Sequence, residues 1–179
     1  DTLKEQIQTQ HKHPNLPGIQ LCDTLAATNK LAELGNADII VVGLASAHLY
    51  VLDELNKTLS PHKNVVILTK GLVENQPSFF VSDYVSKQLN TNKIAMLSGP
   101  NLAFEIAQKQ PALSVIASKE IALAESFQKA VSNPYFRVYR SDDLKGVECG
   151  GVLKNTIAIA AGISDGLGLG SNAKAALMS

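Results

Sequence analysis

The residues of this chain whose types and spacing could do chemistry are two lysines, a glycine pair and an asparagine. Val147, Gly150, Gly151, Lys154, Ile157, Ala158 and Ala161 recur at three- and four-residue spacing, so in a helix they share one face. That face is apolar and small, with Lys154 in its middle. A glycine inside a helix costs about 1 kcal/mol relative to alanine. Two in a row therefore call for a reason, and close approach of a ligand or another backbone is the usual one. A lysine over such a patch is expected to be desolvated, which disfavours its ammonium form, lowers its pKa and suits it to act as a general base. Asn155, one residue round the helix, is placed to orient a polar ligand. The alternative is that Lys154 reaches out to solvent and the glycines only permit tight helix packing.

Lys70 follows an apolar run ending at Thr69 and precedes Gly71. In an open parallel sheet, ligands bind beyond the carboxyl ends of strands, where Lys70 would stand. A solvated lysine at a strand end is the plainer reading. Ser98-Gly99-Pro100-Asn101-Leu102-Ala103 likewise follows a strand-like run and opens a helix-like one. Gly99 allows close backbone approach, and Asn101 is a candidate helix cap at an end whose free amides attract anions. A simple strand-to-helix turn has the same sequence. His48 is at an equivalent location and reads as a rim histidine. Gly166-Leu167-Gly168-Leu169-Gly170 has the wrong last spacing for a dinucleotide loop and follows a helix, so it reads as a helix-end turn flanked by Asp165 and Asn172. His11 and His13 have no metal-ligand partners in sight, no metal site is expected, and Cys22 and Cys149 read as ordinary thiols.

The elements that must position these residues are legible in the apolar pattern. Ala37–Leu44, Asn64–Thr69, Lys93–Ser98 and Ala112–Ala117 are short, nearly continuous apolar runs, as in strands covered on both faces. Phe136–Arg140 alternates and reads as an edge strand. Helix candidates are Ala47–Leu59, Pro77–Leu89, Leu102–Lys109 and Ile121–Val131. Strand and helix alternating at this spacing predict βαβ units. After the cap cluster Ser141-Asp142-Asp143, one long helix is expected over Leu144–Ile163. The fold class is therefore α/β: a Rossmann-like, mostly parallel sheet over residues 1–140, then the start of an all-helical domain over 141–179.

Composition narrows the function classes. The 179 residues are 45% hydrophobic and 18% charged, a globular balance. Sixteen Lys+Arg against sixteen Asp+Glu leave no basic footprint for duplex nucleic acid. With no Trp and 5% aromatics, stacking platforms for single strands are poorly supplied. Two cysteines point to a reducing, cytoplasmic setting. The polar stretch Asp1–Lys12 is unlike a signal peptide. The longest apolar run, Ile39–Ala47, is far short of the roughly 20 residues that span a bilayer.

Taken in order, Asn15-Leu16-Pro17-Gly18-Ile19, Thr69-Lys70-Gly71, Ser98–Ala103, Gly150-Gly151-Val152-Leu153-Lys154-Asn155 and Ala160–Gly170 resemble NAD(P)-dependent glycerol-3-phosphate dehydrogenases of the bacterial or organellar type. The resemblance implies interconversion of dihydroxyacetone phosphate and sn-glycerol 3-phosphate with NAD or NADP, feeding glycerophospholipid metabolism, in a cytoplasmic enzyme that is a homodimer when full length. It implies Lys154 as proton acceptor and Lys70 as a cation touching substrate and cofactor. Gly99 and Asn101 become substrate contacts, Ala103 a cofactor contact and Asn155 a supporting active-site residue. It also implies that a glycine-rich unit precedes Asp1 and that an arginine-bearing helical part follows Ser179, so the chain is expected to be a fragment. Ala45 stands where the family usually has proline. Two alternatives stand beside this reading: a ketopantoate- or β-hydroxyacid-type dehydrogenase, and a non-catalytic α/β binding module.

Overall fold

The computed structural model describes residues 2–59, 63–74 and 76–179. Asp1, with which the polar opening stretch begins, lies outside them. The centre is a five-stranded sheet in sequence order: β1 (Ile39–Val42), β2 (Asn64–Ile67), β3 (Ile94–Ser98), β4 (Ala112–Ala117) and β5 (Phe136–Ser141). The pairs β1–β2, β2–β3 and β4–β5 are parallel, while β3–β4 is antiparallel. The sheet is thus mostly parallel, with one reversal. That reversal has a local cause. Between β3 and β4 the chain forms only the five-residue helix α4 (Ala103–Ala107), bounded by Pro100 and Pro111. A right-handed parallel crossover needs a longer element to travel back along the sheet.

The strands sort their side chains with period two. Val65, Ile67, Ile94 and Met96 face one side. There they pack with Leu52 and Leu55 of α2 (Leu52–Asn56), and with Val81 and Val85 of α3 (Val81–Gln88). Val66, Ala95 and Ile116 face the other side and meet Leu123, Ala124 and Phe127 of α5 (Ile121–Val131). β2 and β3 are therefore covered on both faces, as their unbroken apolar sequences predict. β1 departs from that expectation, because Val41 is 48% exposed at the sheet edge, and so does β4, where Leu113 is 47% exposed. β5 is the opposite edge, in line with its alternation.

Boundaries differ from expectation where turns take over. The stretch read as one helix over 47–59 is a 3-10 turn, Ser46–Val51, running into α2. Residues before Val81 are not helical, since Phe80 is extended and forms an isolated bridge with Leu72. Three elements have no counterpart in the sequence reading. They are α1 (Thr2–Gln10), which buries no residue, the 3-10 turn Leu31–Asn36, and α7 (Ser171–Met178). The long helix α6 spans Leu144–Gly166, three residues past its expected end. Asp143 is its N-cap, as the acidic cluster predicts, and its side chain accepts from the Gly146 amide at 2.8 Å. The helix ends in a turn with Gly168 at φ +69°, and Asp165 pairs with Lys174 of α7 at 2.5 Å. No described helix is long and apolar enough to cross a membrane.

Candidate functional site

Three segments converge beyond the carboxyl ends of β2 and β3. The first is the exit of β2. Thr69 is buried, and its hydroxyl donates to the Leu44 carbonyl at 2.7 Å, which ties the end of β2 to the end of β1. The chain then turns at Gly71, where φ is +121°. Lys70, between them, projects its ammonium to the Gly99 carbonyl at 3.2 Å. The second is the exit of β3. A Cβ built on Gly99 would lie 2.7 Å from the Leu113 carbonyl oxygen and 2.9 Å from Ser114 Oγ, so β4 approaches too closely for any other residue. The third is the middle of α6. A Cβ on Gly151 would meet Ser98 Oγ at 3.2 Å and Lys70 Cγ at 3.8 Å, whereas one on Gly150 would meet nothing within 4 Å.

Between these segments lies a cleft of about 340 Å³. Lys70 and Lys154 face it from different elements. Ser98, Gly99 and Pro100 form one side, and Gly150 and Gly151 leave the helix side bare. None of its lining residues is acidic. Burial, and then the neighbouring Lys154 charge, hold the Lys70 ammonium below the ordinary lysine pKa. Two facing cations without a carboxylate between them favour an anionic, oxygen-rich occupant. Among the described residues no three His, Cys, Asp or Glu side chains cluster as a metal site would require.

The sequence-predicted residues divide into two groups. Lys70, Gly99 and Lys154 line the cleft together, 84 positions apart at the extremes of the chain segment they span. Asn101, Ala103 and Asn155 do not line it. Asn101 is not the expected helix cap. The N-cap of α4 is Leu102, and the Asn101 amide instead donates to the fully buried Ser114 hydroxyl. Its Oδ1 is buried with no hydrogen-bond partner. Ala103 is exposed as the first residue of α4, and Asn155 is exposed beside Lys154. The expected desolvation of Lys154 is also not met. Its side chain is exposed, because the glycines below it open the cleft to solvent instead of closing over the amine. Partial desolvation falls instead on Lys70, although that residue too is exposed.

One group of residues at the base of α6 escaped the sequence reading. Glu148 is 3% exposed, and its carboxylate accepts from the Ser82 backbone amide at 3.0 Å and the Ser82 hydroxyl at 2.5 Å. Lys145, one turn earlier, donates to the same hydroxyl at 2.8 Å, pairs with Asp83 at 2.6 Å and lies 4.2 Å from the centre of the Phe80 ring. Burial works to raise the Asp83 pKa, but hydrogen bonds from Lys145 and Ser78 and the Lys145 charge outweigh it, so the carboxyl sits below its ordinary value. A signal was available: Glu148 is the lone acidic residue over Leu144–Ile163, set among Val147, Cys149 and two glycines, and a buried carboxylate needs partners.

Comparison with known proteins gives matches over nearly the whole chain. The model of the NAD-dependent glycerol-3-phosphate dehydrogenase N-terminus matches residues 1–124, and that of the C-terminus matches residues 143–179. Glycerol-3-phosphate dehydrogenase [NAD(P)+] of Thermobifida fusca is 42% identical over 98% of this chain and 54% of its own length. The corresponding protein of Corynebacterium aurimucosum is 39% identical over 99% of this chain and 55% of its own length. The chain thus spans about half the length of the curated relatives it matches. Among solved structures, glycerol-3-phosphate dehydrogenase from Coxiella burnetii superposes with a TM-score of 0.83 at 32% identity, covering 98% of this chain and 55% of that one. The Plasmodium falciparum enzyme gives 0.88 at 29% identity, covering 97% and 50%.

Proposed function

Because this chain belongs to the NAD-dependent glycerol-3-phosphate dehydrogenase family, we propose that its protein interconverts dihydroxyacetone phosphate and sn-glycerol 3-phosphate, using NAD or NADP. The observation that carries this reading is the acid-free cleft at the strand ends, with Lys70 and Lys154 facing it. A phosphorylated three-carbon substrate is small, anionic and rich in oxygen, which is the chemistry such a pair of cations attracts.

The residues at hand fit a nicotinamide. Gly150 leaves open space on the helix side of the cleft, where any side chain would stand in the way of a flat ring. When bound, the nicotinamide supplies or accepts the hydride. The chain's own residues handle the remainder. In the oxidative direction Lys154, as free amine, takes the proton of the secondary hydroxyl, and in the reductive direction its ammonium returns that proton to the carbonyl oxygen. Lys70, held by the Gly99 carbonyl, places a positive charge beside the substrate oxygens and stabilises negative charge as it builds there. Gly99 and Asn101 then act from the loop after β3, Ala103 meets the cofactor, and Asn155 supports Lys154. Residues 1–140 serve as part of the nucleotide domain and 141–179 as the opening of a helical substrate domain. Within the cell the protein would work as a cytoplasmic homodimer and supply glycerol 3-phosphate for glycerophospholipids.

The decisive experiment follows oxidation of NADH and of NADPH at the nicotinamide absorbance, with dihydroxyacetone phosphate as acceptor. It compares this chain with the protein extended to the length of its relatives. Turnover by the extended protein that depends on dihydroxyacetone phosphate supports the reading. Turnover with ketopantoate or a β-hydroxyacid instead, or none with any of these substrates, would overturn it.

A further inference from the structure

We propose that Glu148 is a positioning residue that sets the rotation and height of α6, and with them the place of Lys154 relative to Lys70. The inference rests on the functional reading above and goes beyond it to a residue away from the cleft. Lys145, Glu148, Gly151 and Lys154 follow one another at three-residue intervals, so they form a row that winds about half-way round α6 from the first lysine to the second. The first two members of the row grip α3. The third passes against Ser98 and Lys70, and the fourth opens on the cleft.

The grip is specific in direction. The N-cap of α3 is Phe80, whose side chain has no acceptor, so the amides of the first turn need one from elsewhere. Glu148 provides it across the fold, taking both the amide and the hydroxyl of Ser82, near the positive end of the α3 dipole. Lys145 adds Asp83 and the face of Phe80. A two-pronged carboxylate tolerates neither rotation nor sliding of the helix that carries it. Gly151, in contrast, has only a smooth backbone at the point where α6 passes β3 and cannot hold a register by itself. From Glu148 to Lys154 the helix rises about 9 Å at about 1.5 Å per residue. A one-residue slip turns the helix by about 100° and carries Lys154 off the cleft.

The test uses the enzyme at the full length of its relatives. In Glu148→Leu, kcat is expected to fall by about tenfold or more, because misplacement by about 1 Å can cost as much as a hundredfold. The nicotinamide KM should stay within about twofold, since the row that moves carries the proton-transfer lysine and not the Rossmann sheet. Glu148→Gln keeps the shape and can meet both Ser82 groups, so it should recover kcat to within about threefold of the parent. Ser82→Ala removes one prong and should lower kcat by about threefold to tenfold, a milder variant that decides the matter if Glu148→Leu does not fold. A residue of merely structural weight would lower the folded fraction and leave kcat per folded active site unchanged. That result, in either Glu148→Leu or Ser82→Ala, overturns the proposal. If the parent enzyme lacks dihydroxyacetone phosphate turnover, the functional reading falls. Amide exchange over residues 147–157 then decides the role of Glu148: faster exchange in Glu148→Leu supports it, and unchanged exchange overturns it.

Discussion

Gly150→Ala should make this protein more stable and less able to bind substrate at once. Gly150 lies in the interior of α6, at ordinary helical φ, and an added Cβ meets nothing within 4 Å. The fold therefore gains the helical preference of alanine over glycine, about 1 kcal/mol, with no steric charge against it. For a domain of this size 1 kcal/mol corresponds to a rise in Tm of about 2–4 °C. The same methyl group stands in a cleft of about 340 Å³, on the wall between Lys154 and the Ser98–Pro100 loop. A methyl occupies roughly one CH₂ group's worth of that space, and displacing the substrate or the ring by an ångström costs up to about a hundredfold in rate. Calorimetry and steady-state kinetics on the same preparation read the two effects. A fall in Tm would refute the claim that the position is sterically open. A rise in Tm with unchanged kcat and KM for both substrates would refute the claim that the cleft is the site.

Other substitutions separate the parts of the same argument. Gly99→Ala should destabilise by about 1–3 kcal/mol in chemical denaturation, because its Cβ would meet the Leu113 carbonyl, which the β3–β4 pairing holds in place. Lys154→Ala should lower kcat by about a hundredfold to ten-thousandfold with little change in nicotinamide KM, measured by steady-state kinetics. Asp143→Ala should cost about 1 kcal/mol of stability through loss of the Gly146 cap, read as a shift in denaturant midpoint. The Lys70 pKa is depressed, so its ammonium is lost as pH rises, beginning below the ordinary lysine range. The KM for dihydroxyacetone phosphate should accordingly rise on the alkaline side, and Lys70→Arg, which stays charged, should remove that limb from the pH profile.

β2 and β3 were readable because burial on two faces leaves a dense apolar signature. β4 and α5 occupy the residues expected of them, and α6 starts at its acidic cap. α1 was not readable: it buries nothing, so its sequence carries no apolar stripe. The antiparallel placement of β4 depends on how short α4 is, and the sequence Leu102–Lys109 looked longer than the helix it makes. In the candidate site, Lys70, Gly99 and Lys154 were findable because strand ends and helical glycines mark a ligand-facing surface. The side-chain direction of Asn101 was not, since Ser114, the partner that turns it inward, arrives from a strand later in the chain. The partner of Glu148 was hidden for a similar reason. Ser82 is in an unremarkable polar position until the two helices meet.

The separation of the two cleft lysines along the chain has a consequence for synthesis. At roughly 5–20 residues per second, Lys154 is added several seconds after Lys70. The first three strands, which pair in sequence order, can assemble in that interval. A nascent chain can therefore possess a parallel part of its sheet, and one wall of the cleft, before the second cleft lysine exists. The cleft is complete only when α6 has emerged and seated itself on α3, so that the order of translation puts the scaffold in place before the pair of cations it presents.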